Sequence, residues 1–197
     1  MGSAITNILT GRVNPSGRLP VTFPTRVDDI PAFCYVSNPE EGYPGVDGHV
    51  KYAEGVYVGY RHYDARSIEP LFPFGYGLSY TTFECSDFRT NVNEAGYGNV
   101  SLVVRNSGGV EGKEVVQLYK KSPGRDYKEL IGFEKVSLMP GEAKEVRFEI
   151  TPELLADYDG DMNLVMSPGT YELMAGSSSR DIFFTPSFSI TEGTKIR

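Results

Sequence analysis

The sequence predicts a mainly-β chain: a two-sheet antiparallel sandwich preceded by a shorter helix, strand and loop. Three observations carry this. From Tyr80 onward, apolar and polar residues alternate in short runs separated by turn-formers, at a spacing of about ten to twenty residues. Before Pro70, prolines, glycines and aromatics occur with little period of either kind. Between the two lies Pro70–Phe83, where Phe72, Phe74, Tyr76, Tyr80 and Phe83 alternate with Pro70, Pro73, Gly75 and Gly77.

Taken in order, Ser3–Thr10 reads as two turns of helix, with Ser3 as cap, Ile5, Ile8 and Leu9 on one face, and Gly11 as stop. So short a helix is marginal alone and needs a body to pack on. Asn14-Pro-Ser-Gly17 has the composition of a type I turn, and Leu19–Phe23 reads as a short strand bounded by Pro20 and Pro24. Residues 25–50, with Pro31, Pro39, Pro44, Gly42, Gly45 and Gly48, read as one long ordered loop. Tyr52–Tyr63 reads as a strand with Tyr57, Gly59, Arg61 and Tyr63 on one face, and Val56, Val58, Tyr60 and His62 on the other.

In Pro70–Phe83 the prolines fix φ and keep their preceding residues out of the helical region, so the backbone runs extended. Aromatics at this density must be buried to avoid association, which makes the stretch either a clamp between layers or a sugar-stacking platform.

The sandwich strands are expected at Thr81–Arg89, Asn99–Arg105, Glu114–Lys121, Leu130–Leu138, Lys144–Ile150, Met162–Met166, Gly169–Ala175 and Ile182–Ile190. Val100, Leu102 and Val104 form one inward row, and Val146, Phe148 and Ile150 another. Asn106-Ser-Gly-Gly, Met139-Pro-Gly-Glu and Ser167-Pro-Gly-Thr supply turns, Gly108–Lys113 reads as a hairpin turn, and Thr151-Pro-Glu-Leu-Leu as one helical turn between sheets.

Bulk properties narrow the function. At 197 residues, 40% hydrophobic and 23% charged, the chain is long enough and apolar enough to bury a core. A net charge of −7 argues against nucleic acid or an anionic membrane as partner. No apolar run approaches the roughly 20 residues that span a bilayer. No basic segment with an apolar core opens the chain, so no signal peptide is visible and the compartment stays open. Cys34 and Cys85 read as two separate thiols, with a single disulfide as the alternative.

Tyr52-Ala-Glu-Gly-Val-Tyr-Val-Gly-Tyr-Arg-His-Tyr-Asp64, followed by Pro70–Phe83, resembles the C-terminal region of glycoside hydrolase family 3 enzymes of the β-glucosidase type. Val13-Asn-Pro-Ser-Gly-Arg-Leu-Pro-Val-Thr-Phe-Pro24, Gly112-Lys-Glu-Val-Val-Gln-Leu-Tyr119 and Lys128-Glu-Leu-Ile-Gly-Phe-Glu-Lys135 match further blocks in the family's order. The resemblance implies that residues 1–77 are the end of an α/β sandwich domain plus a linker. It implies that residues 78–197 are an immunoglobulin-like, fibronectin type III-like β-sandwich. The implied partners are the catalytic domains of a parent glycosidase that hydrolyses terminal β-D-glycosides, and the implied role is a structural buttress for them. A free-standing carbohydrate-binding or adhesion module, meeting an oligosaccharide through Tyr57, Tyr60, Tyr63, Phe72, Phe74 and Tyr76, is the alternative.

Glycoside hydrolysis needs two carboxyl groups flanking the bond. In the family these are an aspartate of an N-terminal barrel and a glutamate earlier in the sandwich domain; neither motif occurs here, so no catalytic residue is carried over and the chain is expected to be inactive alone. Glu54 and Asp64 are the acids of most interest, expected to accept linker amides or pair with Arg61. Asp157-Tyr-Asp-Gly-Asp161 resembles a calcium loop, but Met162 stands where glycine is needed and Pro168 where the closing glutamate is needed. His49 and His62 lack a third ligand, and His62 reads as a packed strand residue. Asn99-Val-Ser101 is a glycosylation sequon on an expected strand. No cofactor or metal is expected.

Overall fold

A computed structural model describes residues 2–197. The chain runs α1 (Gly2–Leu9), a 3-10 turn (Val27–Asp29), α2 (Pro31–Cys34), α3 (Pro39–Gly42) and α4 (Tyr60–Ala65), then enters the sheets. The strands are β1 (Phe83–Val92), β2 (Gly98–Asn106), β3 (Gly112–Lys121), β4 (Glu129–Leu138) and β5 (Ala143–Ile150). After the helical turn α5 (Pro152–Leu155) come β6 (Asp157–Tyr158), β7 (Leu164–Met166), β8 (Gly169–Gly176), β9 (Ile182–Phe184), β10 (Ser187–Ile190) and β11 (Thr194–Lys195).

One sheet has the order β1-β2-β5 and the facing sheet β10-β8-β3-β4, with β9 also on β8 and every pairing antiparallel. A small third sheet, β11-β7-β6, closes one end. The inward rows are those expected from alternation. Val100, Leu102 and Val104 of β2 and Val146, Phe148 and Ile150 of β5 meet Val116, Leu118, Leu138 and Leu173 across the core, all buried. At roughly 1.5–3 kcal/mol for each large aliphatic side chain removed from water, this row-on-row contact is the main source of the sandwich's stability.

Several local expectations are corrected. Tyr52–Tyr63 is not a strand: Gly55 and Gly59 take positive φ (57° and 55°), which breaks extended backbone, and α4 begins at Tyr60. Tyr60, Tyr63 and Asp64 then lie on one helical face, a spacing that also satisfies half of a strand pattern. Asn14–Gly17 forms no turn, because the Asn14 side chain reaches away to the Glu111 carbonyl (3.0 Å) and accepts from the Tyr80 amide (2.8 Å). Leu19–Phe23 is extended but makes only a single β-bridge, Phe23 with Phe72, since Pro20 and Pro24 carry no N–H to donate. Residues 25–50 hold short helical turns, two of them opened by Pro31 and Pro39. Ile182–Ile190 is split into β9 and β10 at Pro186. Gly108–Lys113 is a crossover between sheets rather than a hairpin, because β2 and β3 lie in different sheets.

That crossover is held by Asn106, which is fully buried. Its side-chain amide donates to the carbonyls of Val110 (2.8 Å) and Leu138 (3.0 Å), and its oxygen accepts from Thr81 Oγ1 (2.6 Å) and the Gly108 amide (3.1 Å). One side chain therefore ties the start of β1, the crossover and the end of β4. Asn106→Ala should destabilise the chain by about 3 kcal/mol, since buried groups on three segments lose their partner; a urea titration would read this as a lower midpoint with an unchanged slope.

Candidate functional site

The site begins with β3. It has neighbours on both edges, β4 and β8, and its inner residues Val116 and Leu118 face the core. Its outer residues Val115, Gln117 and Tyr119 are also buried, at 9%, 3% and 0% exposure. What covers them is α4 and the Pro70–Gly77 stretch, laid across the sheet as a strap.

The contacts are specific. Gln117 Nε2 donates to the carbonyls of Ser177 (2.6 Å) and Gly75 (3.4 Å), while Tyr119 donates its hydroxyl to Gln117 Oε1 (2.6 Å). The Ser179 amide donates to the Phe74 carbonyl at 2.9 Å. Tyr60 stacks obliquely on Phe74 with ring centres 5.0 Å apart and meets Tyr119 edge-on at 5.7 Å, and its hydroxyl accepts the Leu130 amide at 2.9 Å. Burial pushes the Tyr119 phenol far above its ordinary range, so it acts only as a donor. Gly75 sits at φ +83°, and a Cβ there would overlap the Gln117 amide.

Charged pairs fix the strap's placement. Arg18 makes two hydrogen bonds to Glu114 (2.7 and 2.8 Å), with side chains 12% and 10% exposed. Asp64 takes Lys128 at 2.5 Å and Arg180 at 3.6 Å, while Arg61 pairs with Glu129 at 2.8 Å rather than with Glu54 or Asp64. Glu129 also faces Lys120 (3.4 Å), whose buried ammonium donates to the carbonyls of Leu155 and Ala156 and to Asp157. Such pairs add little net stability but penalise every other arrangement, because a misplaced strap leaves a charge buried and unpaired.

The six aromatics singled out from sequence separate into three places. Tyr60 and Phe74 pack on β3. Tyr57 stacks on Tyr35 (5.8 Å), meets Tyr127 edge-on and points its hydroxyl at Asp126, while Tyr63 is buried beside His62. Phe72 and Tyr76 contact each other at 5.1 Å and, with Phe23, line an open apolar groove.

His62 is fully buried on α4. Its Nε2 lies 3.0 Å from the Asp29 carbonyl and its Nδ1 3.1 Å from the Tyr35 hydroxyl, so a neutral ring carrying its proton on Nε2 satisfies both. Burial holds its pKa below the ordinary 6.5, the Asp29 carbonyl bond opposing and Arg66 adding to the depression. His49 lies exposed on a surface hairpin with Val46. Asp159 folds its carboxylate onto the Asp161 and Asn163 amides, so the acidic loop closes on itself. Among the described residues, no group of three or more His, Cys, Asp or Glu is gathered as metal ligands. Cys34 and Cys85 are both free thiols, and burial pushes Cys85 up to about 12.

Gln117, Arg18, Lys120 and Arg180 are the organising residues that sequence reasoning missed. For Gln117 a signal existed: a lone amide inside Val115-Val116-Gln117-Leu118 is out of place on a strand unless something polar covers it. Another pattern is collective. Sixteen of the twenty-two exposed large apolar and aromatic side chains lie before residue 81, including Ile5, Leu9, Tyr52, Phe72 and Leu78. The sandwich closes its own core; the part before it does not.

Comparison with known proteins gives a consistent picture. Residues 1–60 match the family model for the glycosyl hydrolase family 3 C-terminal domain, and residues 114–179 that for a fibronectin type III-like domain. A thermostable β-glucosidase B from Acetivibrio thermocellus is 43% identical over the whole of this chain and 26% of its own length. A β-glucosidase from Bacteroides ovatus is 43% identical over 95% of this chain and 26% of its own length. The solved β-glucosidase 3B from Thermotoga neapolitana, in complex with α-D-glucose, superimposes with a TM-score of 0.89 at 40% identity over all of this chain and 27% of its own. A β-glucosidase from Kluyveromyces marxianus does so with 0.87 at 36% identity over 98% and 23%. The chain thus spans about a quarter of the length of the curated relatives it matches.

Two measurements follow from the strap. Gly75→Ala should cost about 2–3 kcal/mol through overlap and backbone strain, and amide exchange should rise in 60–76 before it rises in β2 and β5. The second concerns pH. Because His62 is depressed in the folded state, its stabilising neutral form is complete above pH 6.5 and is lost as pH falls from 6.5 toward the folded value. Urea midpoints should fall in that window with a slope no steeper than about 1.4 kcal/mol per pH unit, and His62→Gln should remove that component.

Proposed function

This chain belongs to glycoside hydrolase family 3, whose C-terminal region it carries, and from that premise we propose that it is the non-catalytic buttress of a β-glucosidase-like enzyme. The parent reaction is hydrolysis of terminal β-D-glycosides, performed by catalytic domains that this chain braces. Residues 1–77 serve as the end of the α/β sandwich domain with its linker, and residues 78–197 as the fibronectin type III-like domain. The observation that carries this reading is one-sided exposure: the sandwich buries its core, whereas α1 and the segments before residue 81 turn apolar side chains outward. Exposed apolar surface concentrated in this way marks an interface.

The six aromatics fit the same role. Four are spent on internal packing, and Phe72 and Tyr76 line an apolar groove with Arg18 drawn off to Glu114. We read them as contacts within and between domains rather than as a sugar platform.

The isolated chain should release no nitrophenol from an aryl β-glucoside and show no site-localised shift with cellobiose at millimolar concentration. Added to the catalytic portion of a family 3 β-glucosidase truncated before the matching region, it should bind and raise both turnover and thermal midpoint. Sugar binding by the chain alone, with no effect on the truncated enzyme, would sink the buttress reading in favour of a free-standing binding module.

A further inference from the structure

We propose that the groove between Gly17–Phe23 and Phe72–Leu78 is the principal seat for the catalytic portion of the enzyme, receiving an apolar segment of that portion. The inference rests on the buttress reading and deepens it by separating one docking face from the other exposed apolar residues.

The groove is lined by Leu19, Phe23, Phe72, Tyr76 and Leu78 and holds about 490 Å³, room for several side chains. Its rim is strongly exposed: Leu78 at 67%, Leu71 at 57%, Val21 at 54% and Phe23 at 44%. The one charged wall, Arg18, is neutralised from behind by Glu114 and is only 12% exposed, so the cavity offers little to a polar ligand. Its floor is rigid, because the Gly75 amide donates to the Leu19 carbonyl (2.8 Å), the Leu19 amide to the Tyr76 carbonyl (2.9 Å) and the Phe23 amide to the Phe72 carbonyl (2.8 Å). A preformed apolar concavity loses little order on filling, which is what a permanent intramolecular interface needs.

Chain continuity identifies the occupant. The Tyr80 hydroxyl, two residues beyond Leu78, donates to the Ile8 carbonyl of α1 at 2.9 Å. α1 is eight residues long, so Gly2 lies within about 12 Å of that anchor. In the relatives, about three-quarters of the polypeptide lies outside the matched region. The other exposed apolar set, Tyr43, Val46, Tyr52 and Val56, sits on the Gly42–Gly59 loop, where it forms no concavity with the groove residues.

The test uses the full chain and the Thermotoga neapolitana β-glucosidase 3B lacking the region this chain matches. Phe72→Glu with Leu78→Glu should weaken calorimetric binding at least about tenfold, while Tyr52→Glu with Val56→Glu should change it by less than about threefold. Both variants should keep the unfolding midpoint of the unchanged chain. Equal binding by all three chains, or loss confined to the loop variant, would overturn the assignment of the groove while leaving the buttress standing. Failure of the unchanged chain to bind would overturn both. A measurement on the chain alone guards against a misfolded partner: the groove variant should lose at least about half of the bound-dye fluorescence of an apolar probe such as anilinonaphthalene sulfonate. Retention of full fluorescence, or displacement of the dye by cellobiose, would overturn the proposal.

Discussion

No surface of β3 reaches water, and that constraint shapes the rest of the molecule. A strand with partners on both edges and apolar residues on its inner face still has an outer face to hide. Here that face carries Gln117, whose amide needs acceptors and a donor of its own. The strap supplies the Gly75 carbonyl, and the outer face then disappears beneath Tyr60, Phe74 and Gly75. Without the strap a buried tyrosine, an amide and a valine would all be exposed. With it, the segment before the sandwich gains a fixed place that its own short helices could not secure.

The division of labour between apolar and charged contacts follows from that. Packing of the aromatic rings on β3 supplies the attraction, but rings slide. Buried pairs at Arg18–Glu114, Arg61–Glu129 and Asp64–Lys128 do not, because each has a single arrangement in which both charges are satisfied. The strap is therefore held in one register against the sandwich, and the groove formed by Leu19, Phe23, Phe72 and Tyr76 inherits that rigidity. A brace between domains needs this property more than it needs affinity.

Legibility in the sequence tracked the range of the interactions involved. The sandwich strands were readable because alternation is local and its period is unambiguous, as in Val100-Ser101-Leu102. α4 was misread because Tyr57, Tyr60 and Tyr63 satisfy strand and helix spacing in turn, and only the positive φ at Gly55 and Gly59 decides between them. The crossover after Asn106 looked like a hairpin because turn residues report a change of direction, not which sheet the next strand joins. Arg18 and Glu114 stand 96 residues apart, and nothing in either neighbourhood announces the other. The aromatic density of Pro70–Phe83 did signal burial, yet which rings would be covered depended on a surface built from a different part of the chain.

The attachment of the strap to Ser179 and Arg180 has a consequence for biogenesis. Arg180 donates to the carbonyls of Tyr63 and Ile68, and the Ser179 amide to that of Phe74. A ribosome delivers residues 60–76 more than a hundred positions before those anchors appear. Until then the earlier segment has no complete seat, and its exposed rings are available to any neighbouring apolar surface. Maturation of the upstream part thus waits on nearly the last residues to be translated, so that a message cut short near its end would spoil the beginning of this region as surely as its tail.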